Sequence, residues 1–159
     1  MALQTCEFRV YGQPIGKGRP RFTRTGHTYT PQKTRDYEDM IARVAWSTMK
    51  KDRLEVTDRR ISLIYTAFFD VPKSYTKQKT SECQAGIIIP NKPDIDNIGK
   101  AICDACNKIV YQDDCQIWHL TGFKRYCDEG QRAHIHVKIQ WDDPSLNTTN
   151  LVHIVPATS

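Results

Sequence analysis

From Lys92 to Gln116 the chain reads Lys-Pro-Asp-Ile-Asp-Asn, then an apolar pattern at helical spacing, then Tyr-Gln-Asp-Asp-Cys-Gln. This stretch restricts the fold more than any other. Pro93 disfavours a helical backbone at Lys92, so the entry is extended or turned. In an extended entry, residues two apart point the same way, which aims Asp94 and Asp96 at one point. Asp96 or Asn97 then caps a helix running to about Lys108, with Ile98, Ile102, Ala105, Cys106 and Ile109 as its buried stripe. Lys100 lies one turn beyond Asp96, and Asp104 one turn beyond Lys100, on one face. Asp113 and Asp114 follow a short loop that folds back along the helix.

Each acid taken alone has an ordinary reading. Asp96 is a helix cap, Asp104 a partner for Lys100 on the helix face, and Asp113-Asp114 an acidic turn. Together, Asp94, Asp96, Asp113 and Asp114 surround one lysine in a chain whose net charge is +5. Clustered like charges raise one another's pKa unless something neutralises them. An all-oxygen donor set converging from two segments suits Mg²⁺, with Mn²⁺ as a substitute.

The basic residues are distributed unevenly. Between Lys17 and Arg35 lie Arg19, Arg21, Arg24 and Lys33, with no acid among them. The segment Gly12-Gln-Pro-Ile-Gly-Lys-Gly-Arg-Pro-Arg-Phe carries three glycines and two prolines, which excludes helix and exposes backbone. Its guanidinium forks match phosphate geometry. A hairpin turning near Gly26 follows, and Phe22 and Tyr29 on it are candidates to stack on unpaired bases. Lys17, Arg19, Arg21 and Arg24 are therefore candidate contacts to a nucleic-acid phosphate backbone, with Lys73 and Lys77 adding to them. The plainer alternative is a solvated basic face.

The remaining elements follow from periodicity. Residues 6 to 12 alternate as a half-buried strand. Thr34 to Lys50 is an amphipathic helix with Tyr37, Met40, Ile41, Val44 and Ala45 inward, capped by Thr30 or Thr34. Residues 60 to 70 form a long central strand. Residues 73 to 85 suit a short helix with Ser74 as its cap, stopped by Gly86. Cys115 to Cys127 and Ala133 to Trp141 are strands, and Asp128-Glu129-Gly130 predicts that they form a hairpin. The expected fold is α+β: a mainly antiparallel sheet with helices packed on one face. Residues 1–142 are expected to make one domain and 143–159 a weakly ordered or docked tail.

At 159 residues the chain is long enough to bury a core. No apolar run approaches the roughly 20 residues needed to span a bilayer. The N-terminus lacks the pattern of a signal peptide, so a cytoplasmic protein is expected. The six cysteines then read as reduced thiols. Cys103 and Cys106 sit within the helical stripe as small core residues, and Cys115 and Cys127 are too far apart to complete a zinc site with them.

Lys-Pro-Asp-Ile-Asp-Asn-Ile-x-Lys-x-x-x-Asp-Ala followed by Asp-Asp-x-Gln-Ile resembles the signature of the RusA family of Holliday junction resolvases. Gly-Lys-Gly-Arg-Pro-Arg-Phe and the later Thr-Tyr-Thr-Pro resemble its phage and Gram-positive branch. The resemblance covers about residues 7 to 141. It implies a Mg²⁺-dependent endodeoxyribonuclease acting in recombination and repair, often carried by phages or prophages in bacterial cells. It also implies a homodimer that makes paired nicks across four-way DNA junctions, without a small-molecule cofactor. By position, Asp94, Asp96 and Asp114 match its metal-binding carboxylates and Lys100 its catalytic lysine, with Asp113 and Asn97 in support. The competing reading is a non-catalytic nucleic-acid-binding module whose acids are structural or hold a regulatory ion.

Overall fold

The computed structural model describes residues 3–143. In chain order these are β1 (Leu3–Tyr11), the short strands β2 (Arg21–Phe22) and β3 (Thr28–Tyr29), α1 (Gln32–Lys51), β4 (Ile61–Phe69), α2 (Lys77–Gln84), α3 (Ile95–Cys106), a 3₁₀ turn (Asp114–Gln116), β5 (Ile117–Tyr126) and β6 (His134–Asp142). The expected tail at 143–159 falls almost wholly outside the described residues.

The class is the expected α+β. Four strands form one mixed sheet in the order β1-β6-β4-β5, and β2 and β3 form a separate hairpin. β6 pairs antiparallel with both β1 and β4, whereas β4 and β5 are parallel. Parallel neighbours need a crossover connection. Here it carries α2 and α3, so the acid-rich helix is the return path between two adjacent strands.

The predicted 128–130 hairpin does not occur. β5 and β6 are separated in the sheet by β4. Their connector, residues 127–133, crosses the end of that strand, a gap of roughly 10 Å for two strand spacings. Cys127 N–H donates to the Phe69 carbonyl at 2.8 Å, and Ala133 N–H donates to Asp70 Oδ1 at 3.1 Å. The turn residues were legible, but a seven-residue link does not fix which strand comes between. The strict alternation of β6 explains its central place. Ile135, Val137 and Ile139 are fully buried, and two neighbours satisfy both backbone edges.

Cys6, Phe8 and Val10 of β1, Leu63 and Tyr65 of β4 and the inward residues of β6 share a core with Tyr37, Ile41 and Ala45 of α1 and Ile98, Ile102 and Cys106 of α3. Both long helices thus pack on one sheet face. Full burial contributes about 1.5–3 kcal/mol for each aliphatic side chain. Helix ends depart from the predicted caps. α1 begins after Pro31 without a side-chain cap, and the Thr34 hydroxyl accepts from Gly18 N–H instead. α2 is capped by Thr76, not Ser74, because the Thr76 hydroxyl meets Lys79 N–H. α3 begins at Ile95 after Asp94 and ends at Cys106, earlier at both ends than predicted.

Candidate nuclease site

The early start of α3 changes how its acids are presented. Asp94 has extended backbone and occupies the cap position, but its carboxylate makes no capping bond. It turns to Lys92, whose ammonium donates to Asp94 Oδ1 at 2.7 Å. Asp96 is already in the first helical turn, so the two carboxylates flank that turn and do not share one side of an extended strand. Lys100 Nζ lies 3.8 Å from Asp96 Oδ2. Such an exposed i,i+4 pair contributes at most about 0.5 kcal/mol, which leaves both groups available to a ligand. The hydrogen bond and charge of Lys92 hold the Asp94 carboxyl below its usual range, with smaller contributions from Lys124 and Arg19. The positive end of a helix favours this concentration of acid.

Tyr65 seats the helix on the sheet. Its hydroxyl donates to the Ile95 carbonyl at 2.6 Å. The ring lies between Gly99 of α3 and Gly122 of β5, where a Cβ would come within 2.8 Å and 2.3 Å of Tyr65 atoms. Lys124 of β5 secures the entry segment by donating to the carbonyls of Asn91 and Pro93, at 3.2 and 3.0 Å.

Asp113 and Asp114 form the second acidic element. Asp113 caps the 3₁₀ turn: its carboxylate accepts from Cys115 N–H, and Gln116 Oε1 accepts from Asp113 N–H. Gln116 Nε2 donates to the carbonyls of Thr57 and Arg59 at 3.0 and 2.7 Å. Tyr111, fully buried, donates its hydroxyl to the Cys103 carbonyl at 2.7 Å. These bonds fold the acidic turn back along α3, as the sequence suggested. The hydrogen bond from Cys115 N–H lowers the Asp113 carboxyl. Asp114 is pushed up, first by its hydrogen-bonded neighbour Asp113 and also by the charges of Asp113 and Asp104.

The acids therefore fall into two sets. Asp94 and Asp96 stand at the N-terminal end of α3, each with a lysine. Asp113 and Asp114 stand together, within the field of Asp104 further along the helix. Among the described residues, no three His, Cys, Asp or Glu side chains are grouped as a ready metal cage. Asp104 pairs with Lys17 and not with Lys100. Lys17 also lies 3.2 Å from Glu38 Oε1, so the structure directs this predicted DNA contact inward.

The other basic candidates face solvent. Arg19, Arg21 and Arg24 are exposed on the glycine-rich segment and its hairpin, and Lys73 and Lys77 are exposed around the entry to α2. Phe22 is 76% exposed at the hairpin. A cleft between the glycine-rich segment and α3 is lined by Arg21, Lys33, Lys92, Pro93, Asp94 and Asn97, among others. Sequence reasoning gave no role to Tyr65, Tyr111 or Gln116. The Asp113-x-x-Gln116 spacing is a capping-box pattern and was a usable signal for Gln116. The tyrosines act over long sequence separations and left no local sign.

The α+β domain thus presents exposed carboxylates and cations together at one helix end. The sequence profile of the endodeoxyribonuclease RusA matches residues 11–140. The chain belongs to this family of endodeoxyribonucleases. It is also similar to the uncharacterized protein YqaN of Bacillus subtilis (strain 168), with 33% identity over 133 residues, covering 80% of this chain and 92% of that protein. No helix among the described residues is long and apolar enough to cross a membrane.

Proposed function

We propose that this endodeoxyribonuclease resolves Holliday junctions by paired, symmetric nicks, working with Mg²⁺ as a homodimer in recombination and repair. One observation carries the reading. Asp94 and Asp96 stand exposed at the positive end of α3, beside Lys92 and Lys100 and within the field of Arg19 and Lys124. Carboxylates favour a hard cation and the surrounding cations favour a phosphate, so the two together suit a metal shared with a nucleic-acid backbone.

The residues present fit Mg²⁺ by donor chemistry. All candidate ligands are carboxylate oxygens, and the crowding that raises Asp114 beside Asp113 is of the kind a divalent cation relieves. Mg²⁺ is commonly held by one or two carboxylates plus substrate phosphates, so a closed protein cage is not required. Asp94 and Asp96 would hold the ion together with phosphate oxygens, and Asp114, which the family resemblance adds to them, would join from the folded-back acidic turn with Asp113 in support. When bound, it supplies Lewis acidity toward a phosphoryl oxygen and a lowered pKa for a ligated water.

The chain's own groups do the rest. Lys100 holds positive charge one turn from Asp96, where charge builds on the phosphate during cleavage. Arg19, Arg21 and Arg24 attract the backbone and offset the repulsion between acids and DNA, so binding weakens steeply with salt. Gln116 keeps the acidic turn against the loop at Thr57 and Arg59. Asn97 faces the cleft beside Asp94. A four-way junction has two-fold symmetry, which a C2 dimer matches by offering two sites to opposed strands.

The test compares a mobile four-way junction, a Y-fork and a linear duplex, each with and without Mg²⁺. The expected result is Mg²⁺-dependent cutting that strongly favours the junction. Binding without cutting in either condition would favour a non-catalytic nucleic-acid-binding module.

A further inference from the structure

Residues 14–18 pass between the N-terminal ends of α1 and α3, and the contact is close. A Cβ on Gly16 would lie 2.8 Å from Pro93 Cβ and 3.1 Å from Asn97 Cβ. A Cβ on Gly18 would lie 3.0 Å from Thr34 Oγ1 and 3.1 Å from Pro31 Cγ. Two backbone donors fix the path: Lys17 N–H to the Asn97 carbonyl at 2.9 Å, and Gly18 N–H to Thr34 Oγ1 at 3.0 Å.

The Lys17 side chain completes the attachment. Its ammonium donates to Asp104 Oδ2 on α3 and lies 3.2 Å from Glu38 Oε1 on α1. Glu38 Oε1 is buried and makes no well-aligned hydrogen bond. Removing Lys17 would leave that oxygen without a counter-charge, which is costlier than losing an exposed pair. Asn97 and Asp104 are seven residues apart, about 10 Å along the helix axis. The segment is thus held to α3 at two separated points and to α1 at two more, Thr34 and Glu38. Arg19 and Arg21 emerge directly from this attachment, and Arg21 lines the cleft with Asp94 and Asn97.

We propose that the Lys17–Glu38–Asp104 ion triad is a clamp that fixes the basic segment over the Asp94–Asp96 end of α3. Lys17 is then a positioning residue for cleavage and not a phosphate contact. The inference rests on the nuclease reading above for its effect on rate, but not for its effect on the loop. A compact ammonium on a flexible stem suits this bridge between carboxylates of two helices. The clamp also explains why a basic loop spends one cation inward.

The test is Lys17→Met, read in three ways. In the free protein, hydrogen exchange at amides 17 and 18 is expected to quicken about tenfold or more, because local opening governs exchange. The salt dependence of junction binding keeps its slope, since no phosphate contact is lost. Single-turnover cutting at saturating junction falls about 10²-fold, the scale of a roughly 1 Å misplacement. Lys17→Arg keeps the charge and is expected to restore much of both the protection and the rate. A slope reduced by about 0.9 with an unchanged saturating rate would make Lys17 a phosphate contact and overturn the proposal. Unchanged exchange at amides 17 and 18 would also overturn it. If the parent cuts no junction, the nuclease reading fails while the exchange data still score the clamp. Should Lys17→Met not fold, Glu38→Gln removes the α1 arm alone and carries the same predictions at smaller size.

Discussion

Gly99 offers a prediction whose sign depends on a second residue. It lies inside α3, where alanine is favoured over glycine by about 0.8–1.0 kcal/mol. The structure explains why alanine does not fit: its Cβ would lie 2.8 Å from the Tyr65 hydroxyl and 3.2 Å from two ring carbons. The hydroxyl cannot swing aside without breaking its 2.6 Å bond to the Ile95 carbonyl. Gly122 closes the other side of the ring, since a Cβ there would come within 2.3 Å of Tyr65 Cζ. Overpacking of this kind costs about 1–3 kcal/mol. Gly99→Ala in the parent is therefore expected to destabilise by about 0–2 kcal/mol after the helix gain is subtracted. Tyr65→Phe removes the nearest clashing atom and costs about 1 kcal/mol for the lost hydrogen bond. In that background Gly99→Ala recovers the helix preference of about 0.8–1.0 kcal/mol, so the two sites couple by the relieved overpacking, about 1–3 kcal/mol. Urea denaturation of the four proteins measures this directly. Additive effects within about 0.5 kcal/mol would refute the claim that Tyr65 seats the acid-bearing helix.

Three further outcomes follow from the site and core. Lys100→Met is expected to lower single-turnover cutting about 10²–10³-fold while leaving junction affinity nearly intact; a rate loss recovered by raising DNA concentration would assign Lys100 to binding. Arg19→Ala and Arg21→Ala should each weaken junction binding and reduce its salt slope by about 0.9, with Mg²⁺ affinity unchanged; equal slopes in variant and parent would remove these arginines from the interface. Burial, aided by the charge of Asp52, pushes the Cys6 thiol from 9.0 up to about 12, and burial first pushes the Tyr65 phenol from 10.0 up to about 12. Both folded values exceed the unfolded ones, so their contribution is complete below about pH 9 and is lost as pH rises toward 12. Cys6→Ala should flatten the alkaline limb of stability against pH, and an unchanged limb would contradict this assignment.

Local signals carried much of the fold. The buried stripe of α3, with Ile98 and Ile102, and the alternation of β6, with Ile135 and Ile139, were legible at one period each; on α1, Tyr37, Ile41 and Ala45 are buried as expected, whereas Met40, expected inward, is exposed and Met49 one turn beyond Ala45 is buried instead. The hairpin at Gly26 was legible because glycine readily takes the φ of 84° it has there. What failed was non-local. The Asp128-Glu129-Gly130 turn looked like a hairpin, but pairing was decided by β4, more than fifty residues earlier. Thr34 looked like a helix cap, yet its hydroxyl was taken by Gly18. Asp104 looked like a partner for Lys100, yet Lys17 reached it from the opposite end of the chain.

The acidic stretch was legible as a set of candidate residues and less so as an arrangement. Their division into an N-terminal pair and a folded-back pair depends on the start of α3, which Tyr65 and Lys124 hold, and on the fold-back after its end, which Tyr111 holds at Cys103. None of these three belongs to a motif that spacing alone reveals.

In the function proposed above, the Asp94–Asp96 end of α3 works with Mg²⁺ to cut opposed strands of a junction. Strand-resolved mapping of nicks on a four-way junction, with Mg²⁺, for the parent and Asp96→Asn tests it most directly. The parent is expected to nick symmetry-related positions on two opposed strands, and the variant to make no nick above background at equal junction affinity. Equal cutting by Asp96→Asn, or parental nicks scattered without two-fold symmetry, would contradict it.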